Sequence, residues 1–209
     1  MFEPKWRGFW LAAMALALFV LWPGTRAEAA TRCADTSGLS YTAPMRFCMR
    51  NDIYVAAVGE ITASTPDEFT AFLARVRAAG YTPHSVTFHS PGGNMLAGMK
   101  MGATIRDLKL DTHVGERSRC ASACMLAFIG GWSRKVTHDG RIGNHQFSHA
   151  ESAYAEIQSV QDMIDFLSRY HELMHVSPLA VFKAMSRRAD DIYWYSPQEQ
   201  REWGIVTKR

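Results

Sequence analysis

Apolar residues recur along this chain in two different periods, and the change from one to the other predicts alternating strands and helices. The run 52–58 (DIYVAAV) is apolar and rich in β-branched residues, which predicts a buried strand that ends at Gly59. Apolar side chains then recur three and four positions apart from Phe69 to Val76, which predicts a helix that closes at Gly80.

The same alternation continues to the end of the chain. It predicts strands over 85–88, 110–114 and 141–147, helices over 94–108, 124–129, 151–172 and 177–185, and one further helical turn after Ser196. Strands that alternate with helices form βαβ units with right-handed crossovers. We therefore expect an α/β fold with a largely parallel sheet, formed by one domain over residues 51–209.

The first 29 residues have a different composition from the rest and are expected to lie outside that domain. Lys5 and Arg7 precede an apolar run from Phe9 to Trp22, and small residues follow at 27–29. This order is typical of a secretory signal peptide, and it predicts a periplasmic or secreted protein. The apolar run is shorter than the roughly 20 residues of a membrane span, although an uncleaved N-terminal membrane anchor is the alternative.

The chain has four cysteines, and export changes what they are expected to do. An even number of cysteines in an oxidising compartment favours disulfides. We expect the pairs Cys33–Cys48 and Cys120–Cys124, the first of them holding an N-terminal segment over 30–50 that has little regular structure. Sequence alone does not determine the pairing. Histidines and cysteines do not alternate at the close spacing of a zinc site, so no metal is expected.

Composition excludes several classes of function. The formal net charge is only +3 and the basic residues are scattered, which does not fit a nucleic-acid-binding surface. The chain also lacks the G-x-G-x-x-G sequence of a dinucleotide site. We therefore expect no nucleic-acid partner and no cofactor.

Ser-Pro-Gly-Gly at 90–93 lies between a predicted strand and a predicted helix. Adjacent glycines allow close approach of the backbone or a positive φ. Their N–H groups, just ahead of a helix, suit a developing negative charge. The simpler interpretation is a tight strand-to-helix turn without any ligand.

The segment Cys120-Ala-Ser-Ala-Cys places one serine among small residues. Small neighbours at a strand-to-helix turn let the Ser122 hydroxyl stand free at the start of a helix, as a nucleophile requires, although the G-x-S-x-G sequence is absent. The simpler interpretation is a serine that caps the helix. A nucleophilic serine also needs a base, and His145 at a strand end is the candidate, with His149 as its rival.

In chain order, these motifs resemble the ClpP/crotonase superfamily, and most closely the proteolytic subunit of the Clp protease. The resemblance extends from about Ile53 to Val206. It depends on four segments, which are SPGG at 90–93, Ala-Ser at 121–122, His-Gln at 145–146 and SPQE at 196–199.

The resemblance implies a ClpP/crotonase-like βαβ superhelix and a role for each motif. Ser122 would be the nucleophile and His145 its general base. The oxyanion of the intermediate would be stabilised by the segments that contain Gly92, Gly93 and Ala123, through backbone N–H groups.

The resemblance also implies an aspartate shortly before the SPQE segment, as the residue that orients the histidine. Asp190 and Asp191 both precede it, in a register about one residue longer than that of the family, and Asp191 is the nearer. The chain departs from the family at Cys120 and Cys124, where the family has small or apolar residues. A disulfide there would lock the turn that carries Ser122.

Two functions of different classes fit this sequence. The first is an exported serine peptidase that hydrolyses unfolded or short peptides without an ATPase partner. The second is a catalytically inactive ClpP-fold binding or scaffold protein of the cell envelope. A Ser–Lys dyad is a third interpretation, but Lys100 and Lys109 do not lie where such a pairing is expected. The crotonase relatives need coenzyme A, which is cytosolic.

The helix predicted over 151–172 fits the part of the family that builds ring assemblies. We therefore expect a homo-oligomer. The other expected partners are a peptide or unfolded protein segment, as the substrate, and a membrane, in transient association. The apolar stripe of the helix predicted over 151–172 could instead pack on the sheet of its own chain.

Overall fold

The computed structural model describes residues 32–33, 36, 38–146, 159–188 and 190–207, and the structural statements below refer to these. The predicted signal peptide, His149 and the first part of the helix predicted over 151–172 lie outside them. None of the described helices has the length and apolar character needed to cross a membrane.

The described residues form strands and helices that largely alternate, as expected. The strands are β1 (Arg46–Met49), β2 (Tyr54–Val58), β3 (Ser85–His89), β4 (Asp111–Val114), β5 (Arg119–Ala121), β6 (Arg134–Val136), β7 (Arg141–Asn144) and β8 (Tyr193–Trp194). The helices are α1 (Thr65–Ala78), α2 (Met95–Asp107), α3 (Ala123–Ile129), α4 (Val160–Leu173), α5 (Leu179–Met185) and α6 (Pro197–Glu202).

The larger sheet has five strands in the order β1-β2-β3-β4-β6. Strands β2, β3, β4 and β6 are parallel to their neighbours, and β1 is antiparallel to β2. The sequence did not predict β1, because residues 30–50 are rich in turn-forming types. The Phe47 ring packs 5.3 Å from that of Phe69 and 5.9 Å from that of Phe72 on α1, which explains why this edge segment is held as a strand.

The smaller sheet has the order β5-β7-β8 and positions the candidate site. β5 is parallel to β7, and β8 runs antiparallel to β7. Strands β5, β6 and β8 are two or three residues long, too short for a hydrophobic period to appear in the sequence. They form because tertiary neighbours supply their hydrogen bonds.

Small residues let helix α2 lie directly against helix α3. A Cβ on Gly102 would come within 2.6 Å of the Leu126 carbonyl oxygen, and a Cβ on Gly98 would collide with the Ala123 carbonyl. Every residue of α3 is buried. The helix that begins next to Ser122 is therefore fixed by close packing against α2.

Helix α4 packs against the same region from the other side. Its N-cap is Ser159, whose side chain accepts a hydrogen bond from the Asp162 N–H. Leu167 is buried, and the Tyr170 hydroxyl donates to the Leu126 carbonyl oxygen at 2.7 Å. The described apolar stripe of α4 is thus used within the chain.

The buried side chain of Arg134 joins the ends of several elements. It is 2% exposed, and its guanidinium donates to five backbone carbonyls, which belong to Ile129, Gly131, Met174, Gly204 and Ile205. Burial, together with the nearby charge of Arg106, lowers the pKa of Arg134 to about 10. The arginine holds the C-terminal segment against the ends of α3 and α4.

The four cysteines form two disulfides, in the pairs expected from the sequence. Cys33 is bonded to Cys48, with a Cα–Cα distance of 5.5 Å, and Cys120 is bonded to Cys124, with a Cα–Cα distance of 5.2 Å. The first disulfide ties the N-terminal segment to β1. The second spans the turn between β5 and α3.

Candidate active site

Ser122 occupies a strained turn between β5 and α3. Its backbone angles are φ +55° and ψ −128°, outside the regions that a non-glycine residue ordinarily adopts. Its N–H donates to the Gly143 carbonyl oxygen on β7 at 3.0 Å, which anchors the turn to the smaller sheet. Strain of this kind is common where a side chain must be presented for function.

The Ser122 hydroxyl is not used to cap helix α3. A capping serine accepts a hydrogen bond from a backbone N–H in the first turn, and Ser122 makes no such bond. Both flanking residues, Ala121 and Ala123, are small and buried. The side chain is half-buried and faces a pocket, so the interpretation as a simple helix cap does not fit the structure.

The glycine pair at 92–93 lies against this turn because the preceding serine pairs with β5. The Ser90 N–H donates to the Arg119 carbonyl, and its own carbonyl accepts from the Ala121 N–H at 3.1 Å. Gly92 has a φ of +101°, and a Cβ there would come within 2.7 Å of the Ser122 Cβ. Glycine is required at this position, because a side chain would collide with the turn that carries Ser122.

Two of the three residues predicted to form the oxyanion site have N–H groups that remain available. The Gly92 N–H donates to Ser90 Oγ at 3.1 Å. Among the residues that the structure describes, neither Gly93 nor Ala123 donates its N–H to a protein acceptor. Gly92 therefore brings the backbone close to Ser122, and the N–H groups of Gly93 and Ala123 are left without a protein acceptor in the described structure.

His145 lines the same pocket as Ser122. Its Nδ1 lies 2.6 Å from the carbonyl oxygen of Gln146, and its backbone N–H donates to Asn144 Oδ1 at 2.9 Å. Because a carbonyl can only accept, Nδ1 carries the proton and Nε2 is left with its lone pair. No hydrogen bond joins that nitrogen to the Ser122 hydroxyl in the described structure.

Neither predicted aspartate is hydrogen-bonded to His145 in the part of the chain that the structure describes. The Asp191 carboxylate accepts from Arg187 at 3.0 Å, and that of Asp190 lies 3.5 Å from Arg188. Their side chains are 58% and 77% exposed. Both precede β8 on a turn outside the pocket, and the position of an orienting acceptor at Nδ1 is taken by the Gln146 carbonyl.

The pocket between these residues is narrow and mostly apolar. Its volume is about 20 Å³, enough for about one water molecule. Ser122, Asn144, His145 and His171 supply its polar groups, and the remaining lining residues are Met95, Ala123, Leu126, Leu167, Val181, Ala184 and Met185.

Solved structures with a similar backbone include two kinds of protease. ClpP1 from Listeria monocytogenes is 18% identical, covers 79% of this chain and 88% of its own, and has a TM-score of 0.54. A mutant of the membrane-bound stomatin-specific protease 1510-N is 14% identical, covers 80% and 79%, and has a TM-score of 0.51. The chain has the ClpP/crotonase-like fold.

A second mutant of 1510-N, solved in complex with a substrate peptide, is 16% identical and has a TM-score of 0.51, with 76% of this chain and 75% of that chain covered. No protein-family model matches the sequence, and no curated protein matches it. At these identities the likeness establishes the ClpP-like fold alone.

The ClpP-like fold places one further polar group in the pocket, which the sequence analysis did not assign to the site. His171 on α4 is 1% exposed and lines the pocket beside Ser122. Burial lowers the pKa of His171 to about 4, against a weaker opposing effect of its hydrogen bond to Leu167. The available signal was a histidine on the apolar stripe, four residues after Leu167.

The described residues offer no evident place for a metal ion. Within the ranges that the structure covers, no three His, Cys, Asp or Glu side chains come together as a metal site would require. The polar groups of the pocket are instead a hydroxyl, two imidazoles and an amide, a set suited to proton transfer and hydrogen bonding.

Proposed function

We propose that this protein is an exported serine peptidase that cleaves unfolded segments or short peptides without an ATPase partner. One observation carries the proposal. Ser122 is held in a strained turn, its hydroxyl is free of any capping bond, and it shares a pocket with an imidazole whose Nε2 is available as a base.

In the proposed reaction, Ser122 Oγ attacks the carbonyl carbon of the scissile peptide bond while its proton passes to His145 Nε2. The Gly93 and Ala123 N–H groups hold the resulting oxyanion. The intermediate then breaks the C–N bond as His145 returns the proton to the leaving amine. Water hydrolyses the acyl-enzyme by the same steps, with His145 again taking the proton.

We assign the orienting role at His145 Nδ1 to the Gln146 carbonyl, in place of Asp191. The carbonyl already accepts at 2.6 Å, whereas Asp191 is paired with Arg187. A neutral carbonyl stabilises the developing positive charge on the ring less than a carboxylate does, so hydrolysis is expected to be slower than with a complete triad.

The comparisons support the chemical class of this proposal. Both kinds of similar structure are proteases by name, and one of them holds a substrate peptide. The export part depends on the predicted signal peptide over 1–29. It is supported by the two disulfides, which persist in an oxidising compartment such as the periplasm.

The second candidate is a catalytically inactive ClpP-fold binding protein of the cell envelope. The observation that favours it is the absence, in the described structure, of a hydrogen bond between Ser122 and His145, together with the pairing of Asp191 with Arg187. Such a protein would use the pocket only to hold a ligand.

Active-site labelling separates the two candidates. The oxidised protein is treated with a fluorophosphonate probe, and the modified residue is mapped by mass spectrometry, with Ser122→Ala and His145→Ala beside it. A peptidase is labelled at Ser122 and loses the label in both variants while keeping its thermal transition. A folded protein that takes up no label belongs to the binding class.

We also propose that the protein forms a homo-oligomer through an apolar surface at the end of α4 and on α5. Leu173, Leu179 and Phe182 are 72%, 55% and 54% exposed, unusually high for large apolar side chains. Light scattering should give a mass above that of one chain, and Phe182→Glu should return a monomer. A monomer at all concentrations would contradict this proposal.

A further inference from the structure

One buried group in the pocket has no part in the reaction described above. His171 is 1% exposed, and its Nδ1 lies 2.8 Å from the carbonyl oxygen of Leu167, one turn earlier on α4. Its Nε2 is buried and has no hydrogen-bond partner in the described structure. A buried polar atom without a partner is costly, so its presence in a pocket calls for an explanation.

The hydrogen bond to Leu167 determines what that nitrogen can do. The carbonyl accepts from Nδ1–H, so Nε2 carries a lone pair and is an acceptor. Because burial lowers the pKa of His171 to about 4, the ring stays neutral near pH 7. His171 therefore supplies a neutral acceptor in the wall of the pocket that Ser122 also lines, and burial opposes the protonation that a general base must undergo.

The surroundings of this acceptor limit what can reach it. The walls of the pocket are apolar and include Leu126, Leu167 and Val181. The volume of about 20 Å³ leaves room for a small group only. A carboxylate would oppose the lone pair, and an ammonium would lose its hydration without a counter-charge among the lining residues.

We propose that His171 Nε2 is the specificity-determining acceptor of this pocket, and that it selects a serine or threonine side chain next to the scissile bond. The hydroxyl, which is about the size of one water molecule, occupies the pocket and donates to Nε2, and the small aliphatic part of the side chain lies against the apolar residues at the opening. Alanine and valine match these residues in size but leave Nε2 unpaired. The placement of the recognised side chain next to the scissile bond rests on the proposed peptidase function.

The first test is substrate profiling with a synthetic library of unstructured peptides in which serine and alanine, and threonine and valine, occur equally at every position. Cleaved bonds are identified by mass spectrometry. The wild-type protein should prefer threonine over valine at one subsite by about 10-fold or more. His171→Leu should lose or reverse that preference, and His171→Gln, which keeps an acceptor, should restore part of it.

The second test needs no turnover. Ser122→Ala with ¹⁵N-labelled histidine is titrated with N-acetyl-threonine amide or N-acetyl-valine amide, and the imidazole nitrogens are observed by NMR. The Nε2 resonance of His171 should move toward lower frequency, as hydrogen bonding requires, with the threonine compound alone.

The two tests distinguish failure of this inference from failure of the proposed function. Equal cleavage of peptides with threonine and with valine at this subsite would overturn the inference and leave the proposed peptidase function in place. Absence of labelling and cleavage, with the threonine-specific NMR shift, would overturn the peptidase and keep His171 as a recognition group. If His171→Leu does not fold, the inference is tested by the threonine-over-valine preference of the wild-type protein, by the NMR titration and by the preference of His171→Gln.

Discussion

Gly92 lies so close to Ser122 that a side chain on the glycine would come within 2.7 Å of the serine Cβ. The same added carbon would lie 2.9 Å from the Ala123 nitrogen, whose N–H is one of the two donors proposed for the oxyanion. The glycine therefore connects the Ser-Pro-Gly-Gly segment to the nucleophile turn in one arrangement, and neither segment can hold its geometry without the other.

We predict that Gly92→Ala lowers the rate of fluorophosphonate labelling at least about 100-fold, since it displaces the donor and the nucleophile together. It should also destabilise the protein by about 1–3 kcal/mol, because alanine is strained at a φ of +101°. Gly115→Ala is the control, since its Cβ meets only ordinary contacts at 3.7 Å. A labelling rate equal to that of the wild type in Gly92→Ala would show that the close approach of Gly92 to Ser122 is not needed for the reaction.

The orienting role of the Gln146 carbonyl leads to a second prediction. Asp191→Asn should change the labelling rate by less than about threefold, because this carboxylate is exposed and paired with Arg187. Asp190→Asn is the matched comparison at the neighbouring position. A loss of about 100-fold or more in either variant alone would assign the role to that aspartate, as the family resemblance implies.

The two disulfides should affect different properties. Replacing Cys120 and Cys124 together with alanine should lower stability by about 2 kcal/mol, because the closed loop is short, and should slow labelling about 10-fold by loosening the Ser122 turn. The Cys33–Cys48 disulfide closes a longer loop, so replacing both of these cysteines with alanine should cost about 3 kcal/mol, with the labelling rate unchanged at temperatures where the variant is folded.

Chemical denaturation and labelling on the same samples check this prediction. The informative comparison is the ratio of labelling rates, since both variants lose a covalent bond and only one of these bonds spans the nucleophile turn. Equal labelling rates in the two variants would show that the Cys120–Cys124 disulfide does not hold Ser122 in place.

His171 should make stability depend on pH. Its pKa is lowered to about 4 in the folded protein from an ordinary value of 6.5, so the folded state binds this proton less well than the unfolded state. The corresponding stability is fully present above pH 6.5 and is lost as the pH falls toward 4. The difference should be about 3 kcal/mol.

The measurement is the free energy of unfolding of wild type and His171→Leu at pH 7.5 and pH 4. The difference between their free energies of unfolding should change by about 3 kcal/mol in favour of the variant when the pH is lowered from 7.5 to 4. His175→Asn, a change at an exposed histidine in the following turn, is the control. The same pH dependence in wild type and His171→Leu would contradict the assignment.

Much of the framework could be predicted from sequence, because α1, α2, β2 and β3 are long enough to show a hydrophobic period and are bounded by turn residues. Strand β1 was missed because its stability comes from Phe47 packing on α1, a tertiary contact. The same limit applied to β5, β6 and β8, which have only two or three residues each.

The candidate site also could be predicted from the sequence only in part. Ser122 and His145 could be proposed from the sequence, since a nucleophile and its base leave a pattern of residue types, and both residues line one pocket in the structure. The acceptor at His145 could not, because the Gln146 oxygen that fills this role belongs to the backbone and every residue has one. His171 appeared only as a histidine on an apolar stripe, and its role depends on the position of α4 relative to α3.

The hydrogen bonds of Arg134 also determine when the nucleophile turn can exist. Its guanidinium joins the Ile129 carbonyl at the end of α3 to the Ile205 carbonyl, which lies 71 positions after Arg134 itself. Contacts over so great a separation form late in folding, after the long intervening loop has closed. The end of the helix that begins beside Ser122 is thus held by residues that lie far along the chain. The Ser122 turn is therefore expected to form only when the chain as a whole has folded, and partly folded molecules should not present Ser122 in this arrangement.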